Sequence, residues 1–381
     1  MSGNLLESTI LLGDLIEEIL VRVPASYLVK FKIVCKSWNA LISSSKFAKK
    51  QLHRSTSDPT RIRPRLACLG SDISRRDKIR FYSVQSFFKN PSASAFTEDT
   101  CFQTDDELEI FGSCNGLLCI GLLKGKFRCR ATRRCKSIRL WNPCTGSVSD
   151  WLKIVQEGCV HGFGYDHVHD KYKFLDCYWE HGHKVHTFGS NSCTTINQDL
   201  PFEQPWEWTG KFVNGTLNWA ARPQGNLSKW KIISFDLANE NFCQMSLPNR
   251  NDSDDHFFPV LGVWRDSLSV CFNENKSRLV LWVMKKYGVQ ESWTKLVTIS
   301  SEDKVYTISC ARFCPDLAVS FCPRSPDSIS SFKLVMLRAN SFKLTQWIYY
   351  IGPGDRHVYH ESLVSPCHLG LPSFLYGSTI H

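Results

Sequence analysis

Six histidines crowd one stretch of this 381-residue chain: His161, His167, His169, His181, His183 and His186. Neutral imidazole is a common metal ligand, and a structural zinc needs four donors converging on a tetrahedral point. No Cys-x-x-Cys pair accompanies the histidines, and pairs such as Cys114 with Cys119 or Cys310 with Cys314 fall in strand-like runs. The pattern predicts a histidine-rich hairpin with no metal. A Gly-x-Ser-x-Gly elbow, a Walker loop and a dinucleotide fingerprint are all missing from the sequence. The reading therefore assigns no catalytic residue, no metal ligand and no cofactor.

Other residues suit recognition better than chemistry. Pro205-Trp206-Glu207-Trp208 places two tryptophans in a short polar break, and loop aromatics often anchor a partner. The alternative is that both rings tuck under neighbouring strands. Between Lys124 and Arg139 lie eight basic residues and no acid, with Arg133 and Arg134 at their centre. Such a run is a solvated loop, a nuclear-import element or a site for an acidic partner. Asp252, Asp254, Asp255 and His256, followed by Phe257-Phe258, make a third candidate loop.

The composition sets bounds. A formal charge of +10, 43% hydrophobic residues and 12% aromatics describe an ordinary folded chain. No run of eighteen apolar residues is long enough to span a bilayer, and the first residues lack the basic start of a secretory signal. Seventeen cysteines, an odd number scattered through apolar runs, read as buried thiols in a reducing compartment. The expectation is a protein of the cytosol, the nucleus or both.

Two kinds of element must position these residues. Over 11–52 the apolar period is helical. Leu15, Ile16, Ile19, Leu20 and Val23 recur before Pro24, then Leu28, Phe31, Val34 and Cys35, then Trp38, Leu41 and Ile42, then Phe47 and Leu52. So few helices bury little, and the first is apolar over more than one narrow stripe, which calls for a covering partner or a covering domain. Residues 15–24, then 28–38 with Val34-Cys35-Lys36-Ser37-Trp38, followed by Leu41-Ile42 and Phe47, resemble an F-box of the plant type. Members usually open with Leu-Pro, where this chain has Leu11-Leu12. The resemblance implies a Skp-type adaptor, and through it a cullin, docked by Leu12, Leu15, Ile16, Ile19, Leu20, Pro24, Leu28, Val34 and Trp38. Because the motif is confined there, residues 1–55 are expected to form the helical domain and to suffice for docking.

From about residue 60 the period becomes strand-like. Trp141, Phe188, Phe235 and Trp282 each end or interrupt an apolar strand, and each follows the last by 47 residues. Asn115-Gly116 and Asn214-Gly215 are signals for tight hairpins. Repeats of this length with several strands apiece suit the blades of a β-propeller. About six blades over 60–381 are expected, the four aromatics at equivalent, mostly buried, inner-strand positions; a two-sheet β-sandwich is the alternative. Gly112–Leu117, Leu140-Trp141-Asn142-Pro143, Gly162–Asp166, Phe212–Gly215, Ser234–Leu237, Trp282–Val289 and Glu291–Trp293 resemble, in order, the plant F-box-associated interaction domain, a kelch-like substrate-binding module. That resemblance spans 111–297 and fades past residue 300.

The two resemblances together imply a non-catalytic substrate receptor of a Skp–cullin–F-box ubiquitin ligase, with a protein target held by the β domain; the residue types and loop placement of Trp206, Trp208, Arg133 and Arg134 make them its expected contacts. The competing reading is a basic nuclear scaffold or nucleic-acid-binding protein. It rests on the charge alone, since no nucleic-acid module or basic-aromatic interleaving accompanies it.

Overall fold

The structure, a computed structural model, describes residues 13–57, 64–71, 77–83, 103–104, 107–124, 134–154, 160–178, 182–190, 192–199, 201–205, 207–223, 230–249, 259–274, 278–300, 306–307, 322–323, 331–338, 341–349, 356–366 and 374–375. Among the described residues four helices come first: α1 over 13–20, α2 (Ala25–Phe31), α3 (Lys36–Ser43) and α4 (Ser45–Ser57). Pro24, extended at ψ 146°, separates α1 from α2. The Cys35 thiol caps α3 by accepting the Trp38 N–H at 3.5 Å, and Ser44 caps α4 through the Phe47 N–H at 3.2 Å.

Among the described residues, the regular structure after the helices is strand, apart from short 3-10 turns, as at Gln290–Ser292. Five sheets of four or more strands form among the described residues, in chain order around a common axis. Their innermost strands are Arg356–His360, Glu107–Cys114, Val160–Asp166, Lys211–Val213 and Val260–Trp264, each set against a neighbour in that ring. This is a β-propeller, and the sandwich alternative falls. Of the about six blades expected, five are described as sheets. A hairpin of Ser331–Arg338 with Ser341–Tyr349 lies in the chain interval left for a sixth.

Apolar clusters fill the wedges between successive sheets. One joins Phe111, Leu140, Phe163 and Phe174; the next joins Leu175, Trp219, Ile233 and Phe235; a third joins Ile232, Leu268 and Val270. Alternation along each strand feeds both wedges it borders. The Asn-Gly pairs do what their chemistry predicts. Asn115 and Gly116 turn at φ 52° and 81°, and Asn214 and Gly215 at 52° and 77°, joining the first strand of a sheet to the second. In the fifth sheet Arg265 and Asp266 make the same turn at 44° and 59° without a glycine.

The 47-residue step has a structural meaning, though not on the inner strand. Trp141, Phe188 and Phe235 belong to the third strand out from the axis, or the residue after it. Each lies opposite the second residue of the second strand: Leu118, Tyr172 and Leu217. All three are buried. Trp282 is also on a third strand but pairs with Val270, two positions further on, and is only half-buried. Met284, buried, occupies the equivalent place there.

The first sheet is closed from the far end of the chain. Arg356–His360 pairs antiparallel with Pro64–Ser71, Pro64 against His360 and Cys68 against Arg356. The fading of the sequence pattern past residue 300 hid this closing strand.

Candidate functional site

In the helical unit, burial sorts the apolar residues into two sets. Leu20, Val21, Ala25, Leu28, Ile42, Phe47 and Ala48 form its core, with Ile16, Val23 and Trp38 packed against them. Exposed in contrast are Leu15 (54%), Ile19 (63%), Tyr27 (48%), Ile33 (89%) and Val34 (58%). In α1 the two sets are two stripes: Ile16, Leu20 and Val23 turn inward, while Leu15 and Ile19, one turn apart, face out. Of the residues expected to dock an adaptor, Leu15, Ile19 and Val34 are open, and Ile16, Pro24 and Trp38 are half-buried. Leu20 and Leu28 are 1% and 0% exposed, so they hold the helices together and have no surface to offer. Leu12 lies outside the described residues. Tyr27 and Ile33 were missed. Ile33 sits in the turn between α2 and α3, where no periodicity marks a face, and Tyr27 is polar-tipped.

Charges brace the open stripe from behind. Lys50 of α4 reaches both Glu17 and Glu18 of α1, at 2.9 and 2.7 Å. The Lys50 hydrogen bond holds the Glu18 carboxyl below its usual range, and the Glu18 and Glu17 hydrogen bonds raise the Lys50 ammonium. Beside the exposed Val34, the Cys35 thiol is drawn down by its contact with the Ser37 hydroxyl at 3.1 Å.

The helices also sit on the propeller, and always on one face of it. Lys49 pairs with Asp170 at 2.6 Å, in the first-to-second-strand turn of the third sheet. Cys144, in the third-to-fourth-strand turn of the second sheet, packs on the helical core. Leu52 and Thr56 of α4 line one axial cavity of about 230 Å³ with Asn115, Gly116, Asp266 and His360. In an antiparallel blade the first-to-second and third-to-fourth turns share a face. The second-to-third turns and the links between sheets share the other. The helices therefore cover the first face and leave the second, far face clear of them.

The strand ends at Lys124 and Arg134, paired with each other, open on that far face, and so do Met245 and Val260, which bracket 246–259. Arg133, Trp206 and the loop 252–258 lie outside the described residues. Trp208 is not on a peripheral loop. It lies in a break of the fourth sheet's innermost strand, between Phe202–Pro205 and Lys211–Val213. Its carbonyl accepts the His161 N–H at 2.8 Å, and its half-buried ring packs on the wedge holding Trp219 and Leu217.

The histidines do not converge on one point. Among the described residues no group of three or more His, Cys, Asp or Glu side chains is placed to hold a metal. His161, His183 and His186 are buried strand residues, while His167 and His169 belong to the turn after Val160–Asp166; His181 lies outside the described residues. Asp176, fully buried, stands 3.0 Å from His161 Nδ1 and accepts the Tyr178 hydroxyl at 2.6 Å. Burial pushes the His183 and His186 imidazoles below their ordinary value.

Comparison with known families agrees with this division. Residues 13–50 match the F-box domain, and residues 72–364 match the F-box associated beta propeller domain. The chain belongs to the F-box proteins that carry an F-box-associated β-propeller. The match to this F-box protein's propeller runs beyond the 111–297 read from sequence and takes in the closing strand. It is 31% identical over 307 residues to F-box/kelch-repeat protein At3g23880 of Arabidopsis thaliana, covering 75% of this chain and 78% of that one. To F-box protein At3g07870 of the same plant it is 26% identical over 318 residues, covering 76% and 72%.

Proposed function

We propose that this F-box protein is the substrate-recognition subunit of a Skp–cullin–F-box ubiquitin ligase. Its helical unit docks a Skp-type adaptor, the adaptor links it to cullin, and the far face of the propeller holds a protein target. The observation that carries this reading is the exposed apolar set Leu15, Ile19, Tyr27, Ile33 and Val34. So many open aliphatic and aromatic groups on so small a unit mark a binding surface. Their burial under a partner would regain about 25 cal/mol for each Å² of apolar surface removed from water.

The receptor acts without chemistry of its own. It raises the effective concentration of a target lysine near the ubiquitin-bearing partner, a gain of proximity alone. Target contact is assigned to the far face around the Lys124 and Arg134 strand ends, with Arg133, Arg134 and Trp206 as candidate contacts. The buried thiols Cys68, Cys119, Cys135 and Cys177 suit the reducing cytosol or nucleus. Affinity purification of the tagged chain under proteasome inhibition, with mass spectrometry, tests the whole reading. Adaptor, cullin and a target stabilised by the inhibitor are the expected co-purifying species. Recovery of the folded chain without adaptor and cullin would reject it.

A further inference from the structure

The helical unit does not complete its own core. Leu363, 5% exposed, packs among Leu20, Val21, Ala25, Leu28, Ile42, Phe47 and Ala48. It comes from the far end of the chain, three residues after the strand that closes the first sheet. That segment is locked at every step. Ser113 donates its hydroxyl to the Val358 carbonyl at 2.8 Å, and the fully buried Ser362 donates to the Asn115 carbonyl at 2.7 Å. Asn142 Nδ2 donates to the carbonyls of Ser362 and Val364 at 3.0 and 2.6 Å. Its Oδ1 accepts the Cys144 and Thr145 N–H groups. Arg65 meets Glu361 at 3.5 Å. At Gly116 the chain approaches so closely that a Cβ would lie 2.3 Å from the Ser362 hydroxyl.

We infer that closure of the propeller by residues 356–364 is what makes the F-box surface competent for its adaptor, so that residues 1–55 alone, expected from the sequence to suffice for docking, do not. One short segment is the innermost strand of the first sheet at Arg356–His360, and three residues later it is a core residue of the helices. The helices are few, and a unit with so small a core leans on each member of it. A chain whose last strand has not closed the ring leaves a Leu363-sized gap between α1, α2 and α4. The helices carrying Leu15, Ile19 and Tyr27 then lose their backing. Adaptor affinity falls by the fraction of molecules in the closed state. The device keeps unfinished or truncated receptors from occupying adaptor, and it rests on the receptor reading only for what the F-box binds.

The experiment uses the full chain with three substitutions, Leu363→Asp, Asn142→Ala and Leu363→Met. Two readouts are taken on each: amide hydrogen exchange in α1–α4, and recovery of purified Skp-type adaptor. Leu363→Asp puts a charge into the helical core while leaving the strand pairing of Arg356–His360 in place. It should speed exchange in the helices and cut adaptor recovery by roughly tenfold or more. Asn142→Ala touches no helix, yet should speed the same amides by releasing the segment. Leu363→Met, nearly equal in volume, should restore both readouts. Unchanged exchange in the helices of Leu363→Asp and Asn142→Ala would overturn the inference. So would lost adaptor recovery with exchange unchanged. If the wild-type chain fails to bind adaptor while exchange responds as described, the receptor reading fails and the coupling stands.

Discussion

Leu15, Ile19, Tyr27, Ile33 and Val34 stand exposed within 13–57, whereas across the described residues of the propeller the large apolar side chains in the open are Val168, in a turn, and Leu296. Both regions are built from the same kind of sequence, and neither is short of hydrophobic residues. A propeller sheet has a neighbour on each side, so both faces of every strand find a wedge to fill. A helix in a four-helix unit has one inward stripe, and a second apolar stripe has nowhere to go. The difference teaches that apolar surplus is read against architecture. In the propeller it is core, and in the helices it is the open face proposed to dock an adaptor.

The strongest way to break this comparison is inside the propeller. Trp219 is 1% exposed and fills the wedge between the third and fourth sheets. Trp219→Ala should cost about 3–5 kcal/mol, read as a lower midpoint in chemical denaturation. A loss under about 1 kcal/mol would mean the wedges do not carry the fold.

Next comes a pair within the F-box. Leu20→Ala should destabilise by about 2–5 kcal/mol, while Ile33→Ala, at 89% exposed, should stay within about 0.5 kcal/mol. Thermal melts of the two variants check this, and equal losses would erase the distinction between core stripe and docking stripe.

Acid sharpens the contrast between the two regions. His183 and His186 titrate below the ordinary imidazole value because they are buried. A depressed imidazole is neutral in the folded protein and charged in the unfolded chain at the same pH. Their contribution is therefore intact above about pH 6.5 and drains away as pH falls toward the folded values. Asp176, which faces both, and Lys184, which opposes protonation of His186, set how far. Denaturant midpoints at pH 7.5 and 5.5 should differ, and His186→Gln should reduce the difference. An unchanged difference would remove these rings from the acid response.

The smallest effect belongs to the seam. Lys49 and Asp170 are each 58% exposed, and water screens such pairs to about 0–1 kcal/mol. Lys49→Ala should shift the melt by little, and less still in high salt. A large loss would mean that the F-box and propeller are held together by charge rather than by Leu363.

Much of this was legible in the sequence for reasons the structure makes plain. The helical period over 15–42 located the F-box because amphipathic helices must repeat. Asn115-Gly116 and Asn214-Gly215 located two turns because few residues tolerate their φ. The 47-residue step marked the third strands because each blade repeats one packing problem. What stayed hidden was non-local. Nothing in Arg356–His360 names Pro64–Ser71 as its partner, and Leu363 has no periodic neighbour to reveal that it belongs to the helices. Leu20 and Leu28 looked like docking residues because sequence spacing shows that a helix is apolar without showing which stripe is covered. Trp208 looked like a loop anchor because the strand it interrupts is broken into two short pieces.

The central claim is that the open stripe of the F-box binds a Skp-type adaptor, and a direct titration tests it most simply. Purified full-length chain and its Leu15→Glu/Ile19→Glu variant are each titrated with adaptor, with melting curves of both recorded alongside. Saturable binding by the parent is predicted, weakened at least about tenfold in the variant, with closely matching melts. Absent binding by the folded parent, or equal affinity in the variant, would contradict the account.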